Sequence, residues 1–142
     1  MTPAQHQGLP RKRKWPIYLA VSGLVAALIW SQLPRNPYST DLARIGQGQP
    51  ALVLAYDILS TGGMEVIVMM DALRAEYAER IEFLVAPLGA PHGRAFGQRY
   101  IAINGTVVLF SAKGAAVRTM HLPANTAELR DALEELLAQP QQ

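Results

Sequence analysis

The chain has 142 residues, thirteen basic and eleven acidic side chains, a formal net charge of +2 and no cysteine. The missing cysteine excludes disulfides, thiolate metal sites and any reaction that needs an attacking thiolate. Four of the cations stand together at Arg11, Lys12, Arg13 and Lys14. Nine basic and all eleven acidic residues follow, so the remainder carries a net −2 and makes a poor nucleic-acid binder.

Residues 15–33 (WPIYLAVSGLVAALIWSQL) run nineteen residues without a charge, close to the ~20 that a helix needs to cross a bilayer core. Trp15 and Tyr18 stand at one end and Trp30 near the other, where amphipathic rings favour the membrane–water boundary. The cations Arg11 to Lys14 precede the run and only Arg35 follows closely, a bias that keeps the N-terminus in the cytoplasm. The expectation is a single-pass protein in four parts: a cytoplasmic basic segment 1–14, a transmembrane helix 15–33, a linker 34–50 and an extracytoplasmic domain 51–142, periplasmic if the cell is Gram-negative. The basic run also attracts anionic lipid. A cleavable signal peptide shares the basic start, but this apolar run is longer, and Ser31-Gln32-Leu33-Pro34 offers no small-x-small cleavage site. A buried core helix would show a polar face, and none is present.

The linker holds Pro34, Pro37, Gly46, Gly48 and Pro50, with one short helix expected from an N-cap at Ser39 or Thr40. Ala51 to Tyr56 reads as a strand and Asp57 to Gly63 as a loop. A helix is expected from Met64 to about Arg80, its core stripe at Val66, Met70, Leu73 and Tyr77. Ile81 to Leu88 gives a second strand, followed by a loop containing His92 and a short helix from Arg94 to Tyr100. Thr106 to Ser111 and Ala115 to Met120 form a hairpin about Ala112-Lys113-Gly114. The last helix starts at Asn125, with Glu128 as its capping-box partner and a stripe at Leu129, Ala132, Leu133 and Leu136. The order β, α, β, α, β, β, α requires parallel pairing of the first two strands and antiparallel pairing in the hairpin. The fold class is therefore α/β: a mixed four-stranded sheet with flanking helices, preceded by one transmembrane helix.

Ala51 to Tyr56, a short loop and a helix ending Leu73-Arg74-Ala75-Glu76-Tyr77 resemble the first core strand, active-site loop and long helix of thioredoxin-like domains. Gly105 to Phe110, followed by Lys113-Gly114, resembles their third core strand and hairpin. The resemblance extends over about residues 39–138. It implies a Cys-x-x-Cys motif at the helix N-terminus, where aligned peptide dipoles stabilise a thiolate. Counting back from Tyr77 puts Ser60, Thr61, Gly62 and Gly63 in those four positions. It also implies a cis-proline facing the motif, at the position of Gly105, or deleted where Asn104-Gly105-Thr106 runs straight into the strand. Neither device is present, and disulfide exchange has no thiolate to start from.

Ser60 as a nucleophile needs a base and an orienting group, and its plainer role is a helix N-cap. Ser60 to Gly63 also has the form of an anion cradle. His92 and His121 show no spacing for a metal site, and His6 lies before the apolar run. No cofactor and no metal are expected. Ile67, Val68 and Met69 exceed the core stripe of the long helix; they are either buried on the sheet or form a surface for a partner. The expected function is a non-catalytic, membrane-tethered module serving as an accessory, assembly or interaction subunit of a membrane or envelope complex. The alternatives are a small-ligand or anion site or non-redox enzyme at the Ser60 loop, and a tethered chaperone-like peptide binder.

Overall fold

The computed structural model describes Tyr18, residues 20–25 and residues 38–140, and the chain divides after Pro37 into two units. In the first, Tyr18 and residues 20–25 are helical and exposed. Among the described residues no helix is long and apolar enough to cross a membrane. Trp15, Trp30 and the run Arg11 to Lys14, on which the expected span and its orientation rest, lie outside the described residues.

In the second unit β1 (Ala51–Tyr56) is apolar from end to end and almost wholly buried, as a strand covered on both faces must be. It pairs parallel with β2 (Glu82–Pro87) and antiparallel with β3 (Thr106–Phe110), which pairs antiparallel with β4 (Ala116–His121). The sheet order is β2-β1-β3-β4. Alternate residues of β1 divide the core in two. Leu52 and Leu54 point toward α1 (Gly62–Tyr77) and α3 (Thr126–Ala138), and Ala51, Val53 and Ala55 toward α2 (Pro91–Tyr100). The mixed four-stranded sheet with helices on both faces is thus present in this unit.

The helix stripes are buried where the periodicity puts them: Val66, Met70, Leu73 and Tyr77 on α1, and Leu129, Ala132, Leu133 and Leu136 on α3. Tyr77 donates a short hydrogen bond to Glu134, which joins the two helices. That bond, with burial, pushes the Tyr77 hydroxyl up to about 12. At the start of the unit Tyr38 donates to Asp71 at 2.5 Å beneath the Arg74 guanidinium, 4.8 Å from the ring centroid. The α3 cap is reciprocal: Asn125 Oδ1 accepts from the Glu128 N–H at 2.9 Å, and the Glu128 carboxylate accepts from the Ala124 N–H at 2.6 Å.

The strand ends differ from the sequence expectation by one residue, and the helix boundaries differ more, for local reasons. The linker helix is a single 3-10 turn, Leu42–Arg44, capped by Asp41 rather than Ser39 or Thr40. Ser39 is instead paired with Leu84, its carbonyl accepting from the Val85 N–H at 3.0 Å along the outer edge of β2. The α1 helix starts at Gly62, two residues before Met64, and ends at Tyr77, whose carbonyl accepts from both Arg80 and Ile81. The α2 helix starts at Pro91, which suits the first helical turn because its missing N–H has no partner to lose there. His92 therefore lies in that turn, exposed, and not in a loop.

Candidate functional site

The chain leaves β1 at Tyr56 and enters α1 through a tight turn built on Asp57. Its carboxylate accepts from the Leu59 N–H at 3.0 Å and its carbonyl from the Ser60 N–H at 3.1 Å, the local bonding that makes aspartate a turn residue. Asn104 ties this turn to the loop before β3. Its Oδ1 accepts from the Asp57 N–H at 2.8 Å, and its Nδ2 donates to Ser60 Oγ at 2.9 Å. The Ser60 hydroxyl is held by an amide, and among the described residues no imidazole or carboxylate is bonded to it.

Ser60 is not the N-cap of α1; Thr61 occupies that position and makes no side-chain capping bond. Gly62 and Gly63 form the first turn. A Cβ at Gly63 would lie 2.4 Å from Asn104 Oδ1 and 2.6 Å from the Tyr56 ring, so this position has no room for any side chain. Gly105 has φ +83°, and a Cβ there would lie 2.4 Å from Leu122 Cδ2 and 3.6 Å from the Gly62 carbonyl carbon. It lies near the N-terminus of α1, and Leu122 packs against both Gly105 and Gly62. The Gly105 N–H donates to Ala55 at 2.9 Å and its carbonyl accepts from Leu122 at 3.0 Å.

Leu122 and Ile101 are non-glycine residues with left-handed backbones, φ 45° and 52°, a conformation that costs roughly 1–2 kcal/mol per L-residue. Both keep aliphatic side chains exposed. Ile58 and Leu59, on the Asp57 turn, are 81% and 91% exposed, and Ile103 is 62% exposed. Asn104 and Gly105 thus bring three loops to one end of the sheet, where the exposed aliphatic side chains Ile58, Leu59, Ile101, Ile103 and Leu122 stand among the exposed polar residues Ser60, Thr61 and His121. Asn104 and Leu122 organise this end, and neither stood out in the sequence. The Asn-Gly pair ahead of a strand was the one available signal.

Of the three surplus residues on α1, Ile67 and Met69 are partly buried against the sheet core. Val68 is exposed and shares a helix face with exposed Met64. On the hairpin, Thr106 Oγ1 accepts from the Ile103 N–H at 3.2 Å and lies 3.1 Å from His121 Nδ1. The histidine braces the loop before β3. Among the described residues no group of three or more His, Cys, Asp or Glu side chains is placed to hold a metal.

No protein-family model matches this sequence, and no curated protein matches it. Among solved structures the chain is similar to the crystal structure of Trxlp from Edwardsiella tarda, with a TM-score of 0.57 and 22% identity over 68% of this chain and 95% of that one. It is also similar to the structure of a malarial protein, with a TM-score of 0.54 and 15% identity over 63% of this chain and 99% of that one. At such identities the likeness is one of fold, and together with the sheet order it makes the unit from Tyr38 onward a thioredoxin-like α/β domain.

Proposed function

We propose that this protein is a non-catalytic, membrane-tethered thioredoxin-like module that docks another protein, as an accessory or assembly subunit of a membrane or envelope complex. One observation carries the reading. The end of the sheet where the resemblance puts thiol chemistry contains no cysteine, is closed by Asn104 and Leu122, and presents Ile58, Leu59 and Ile103 outward. Rigid loops that hold bare aliphatic side chains in water are a cost to an isolated domain and an asset to one that binds. The uncharged run 15–33 supplies the tether, with the domain outside the cytoplasm, and the tether raises the effective concentration of the module for a membrane partner.

The test is purification of the full chain in mild detergent from its own cells. A stoichiometric partner is expected with the natural sequence and is lost in an Ile58→Ser, Leu59→Ser double variant whose fold is unchanged. A chain that purifies alone under every gentle condition, or a partner indifferent to both substitutions, would overturn the reading. An anion site at Ser60 predicts instead that Ser60→Ala alone abolishes function.

A further inference from the structure

Asn104 and Gly105 form an Asn-Gly pair, which has a covalent chemistry of its own. When the Gly105 nitrogen loses its proton to solvent base, it attacks Asn104 Cγ. The new C–N bond closes a five-membered succinimide, the bond from Cγ to Nδ2 breaks, and ammonia leaves. Water then opens the ring at either carbonyl, giving aspartate or isoaspartate. Glycine favours the attack because no Cβ stands beside the nitrogen. The other asparagines are poorer candidates: Asn125 precedes β-branched Thr126, which crowds the same approach, and Asn36 precedes Pro37, which has no N–H to lose.

The fold blocks each part of this reaction. The Thr106 N–H donates to the Ile103 carbonyl at 2.9 Å and Gly105 has φ +83°, so residues 103–106 form a type II turn. Such a turn sets ψ of Asn104 at about +120°, which swings the Gly105 nitrogen away from Cγ; ring closure needs the opposite sign. The Gly105 N–H is buried and donates to the Ala55 carbonyl at 2.9 Å, which keeps its proton from solvent base. The Asn104 side chain is pinned at both ends, Oδ1 by the Asp57 N–H at 2.8 Å and Nδ2 on Ser60 Oγ at 2.9 Å.

We propose that Asn104 is a deamidation site that the native loop end holds closed and that local opening of these loops exposes. No partner enters this inference, and it stands apart from the docking reading. The two products differ in consequence. Aspartate keeps the backbone: one carboxylate oxygen accepts from the Asp57 N–H, and the Ser60 hydroxyl turns to donate to the other. Its charge lies against Gly63 in the first turn of α1, where a negative charge is favoured. Isoaspartate instead adds a methylene to the main chain of a turn in which Gly105 bonds both Ala55 and Leu122, and the lengthened turn cannot keep both bonds.

The full chain in lipid nanodiscs and the same chain unfolded in guanidinium are incubated in mildly alkaline buffer, and peptide mass spectrometry follows Asn104 and Asn125. In the unfolded chain Asn104 is expected to convert at least about tenfold faster than Asn125, to isoaspartate and aspartate together. In the folded chain it is expected to convert at least about tenfold more slowly than in the unfolded one, the factor for a loop open less than a tenth of the time. Ser60→Ala removes one pin and is expected to speed the folded chain by about threefold or more, with the unfolded rate unchanged. Unaltered amide-exchange protection of β1 in that variant separates a looser loop from a lost fold. The isoaspartate fraction is expected to show fast exchange at the Leu122 amide.

An unfolded chain that leaves Asn104 intact, or converts Asn125 as fast, would overturn the proposed site. Equal rates in the folded and unfolded chains would overturn the closure. So would a Ser60→Ala rate equal to the natural one.

Discussion

Gly63 is the position at which the thioredoxin resemblance meets its hardest steric limit. With Asn104 Oδ1 and the Tyr56 ring inside any Cβ placed there, Gly63→Ala forces the turn to shift and is expected to cost about 1–3 kcal/mol, the usual range for overpacking. A lowered urea midpoint at unchanged slope checks it. The same geometry means that a Ser60→Cys, Gly63→Cys pair destabilises the turn rather than restoring an oxidoreductase. Asn104 acts from the other side. Asn104→Ala strips the Asp57 N–H of its acceptor and Ser60 Oγ of its donor, an expected loss of about 1–3 kcal/mol in denaturant titration. Fast hydrogen exchange at Asp57, with β1 still protected, marks the loss as local.

The helices depend on end effects and on contacts between them in different proportions. The α3 helix has a reciprocal cap, and Asn125→Ala is expected to cost about 1 kcal/mol, read as a lower thermal midpoint. The α1 helix has no side-chain cap at all; its stability comes from the buried stripe and from the Tyr77 bond to Glu134. That bond has a pH signature. The folded-state pKa of Tyr77 is about 12 against an ordinary value of 10.0, so the folded state holds a proton that the unfolded chain gives up. The stabilisation is complete below pH 10 and is lost as the pH rises toward 12. Tyr38, also pushed upward by burial and Asp71, adds to the same decline. Tyr77→Phe is therefore expected to flatten, without abolishing, the fall in stability between pH 10 and 12 measured by urea titration.

Across the domain, the sheet edges are treated differently. The outer edge of β2 is covered by Ser39, while β4 is mostly exposed and carries Arg118 bonded to Glu135 at 2.5 Å. A charge on an edge strand and the register shift that leaves Val117 of β4 as the extra residue opposite Leu109/Phe110 discourage edge-to-edge pairing. The docking surface proposed above lies instead at the loop end. Its exposed aliphatic residues contribute little to folding, so the Ile58→Ser, Leu59→Ser variant is expected to unfold within about 0.5 kcal/mol of the natural chain while losing its partner. Stability by denaturation and partner recovery from the same preparation check both halves.

Periodicity and connection lengths determined the element order, the parallel β1–β2 and antiparallel β3–β4 pairings, both helix stripes and the Asn125–Glu128 cap, but not the β1–β3 pairing. These are set by side-chain patterns within about a dozen neighbouring residues, which a sequence displays directly. Composition alone determined that no thiolate chemistry is possible. The tertiary structure decided what stands where that chemistry would be. Ser60 is no cap because Asn104, 44 positions away, holds its hydroxyl. Gly62 and Gly105 accommodate Leu122, and Ile67 and Met69 are absorbed by the core while Val68 is not. Such outcomes depend on which loops the sheet order brings to one end, and spacing along the chain carries no record of that.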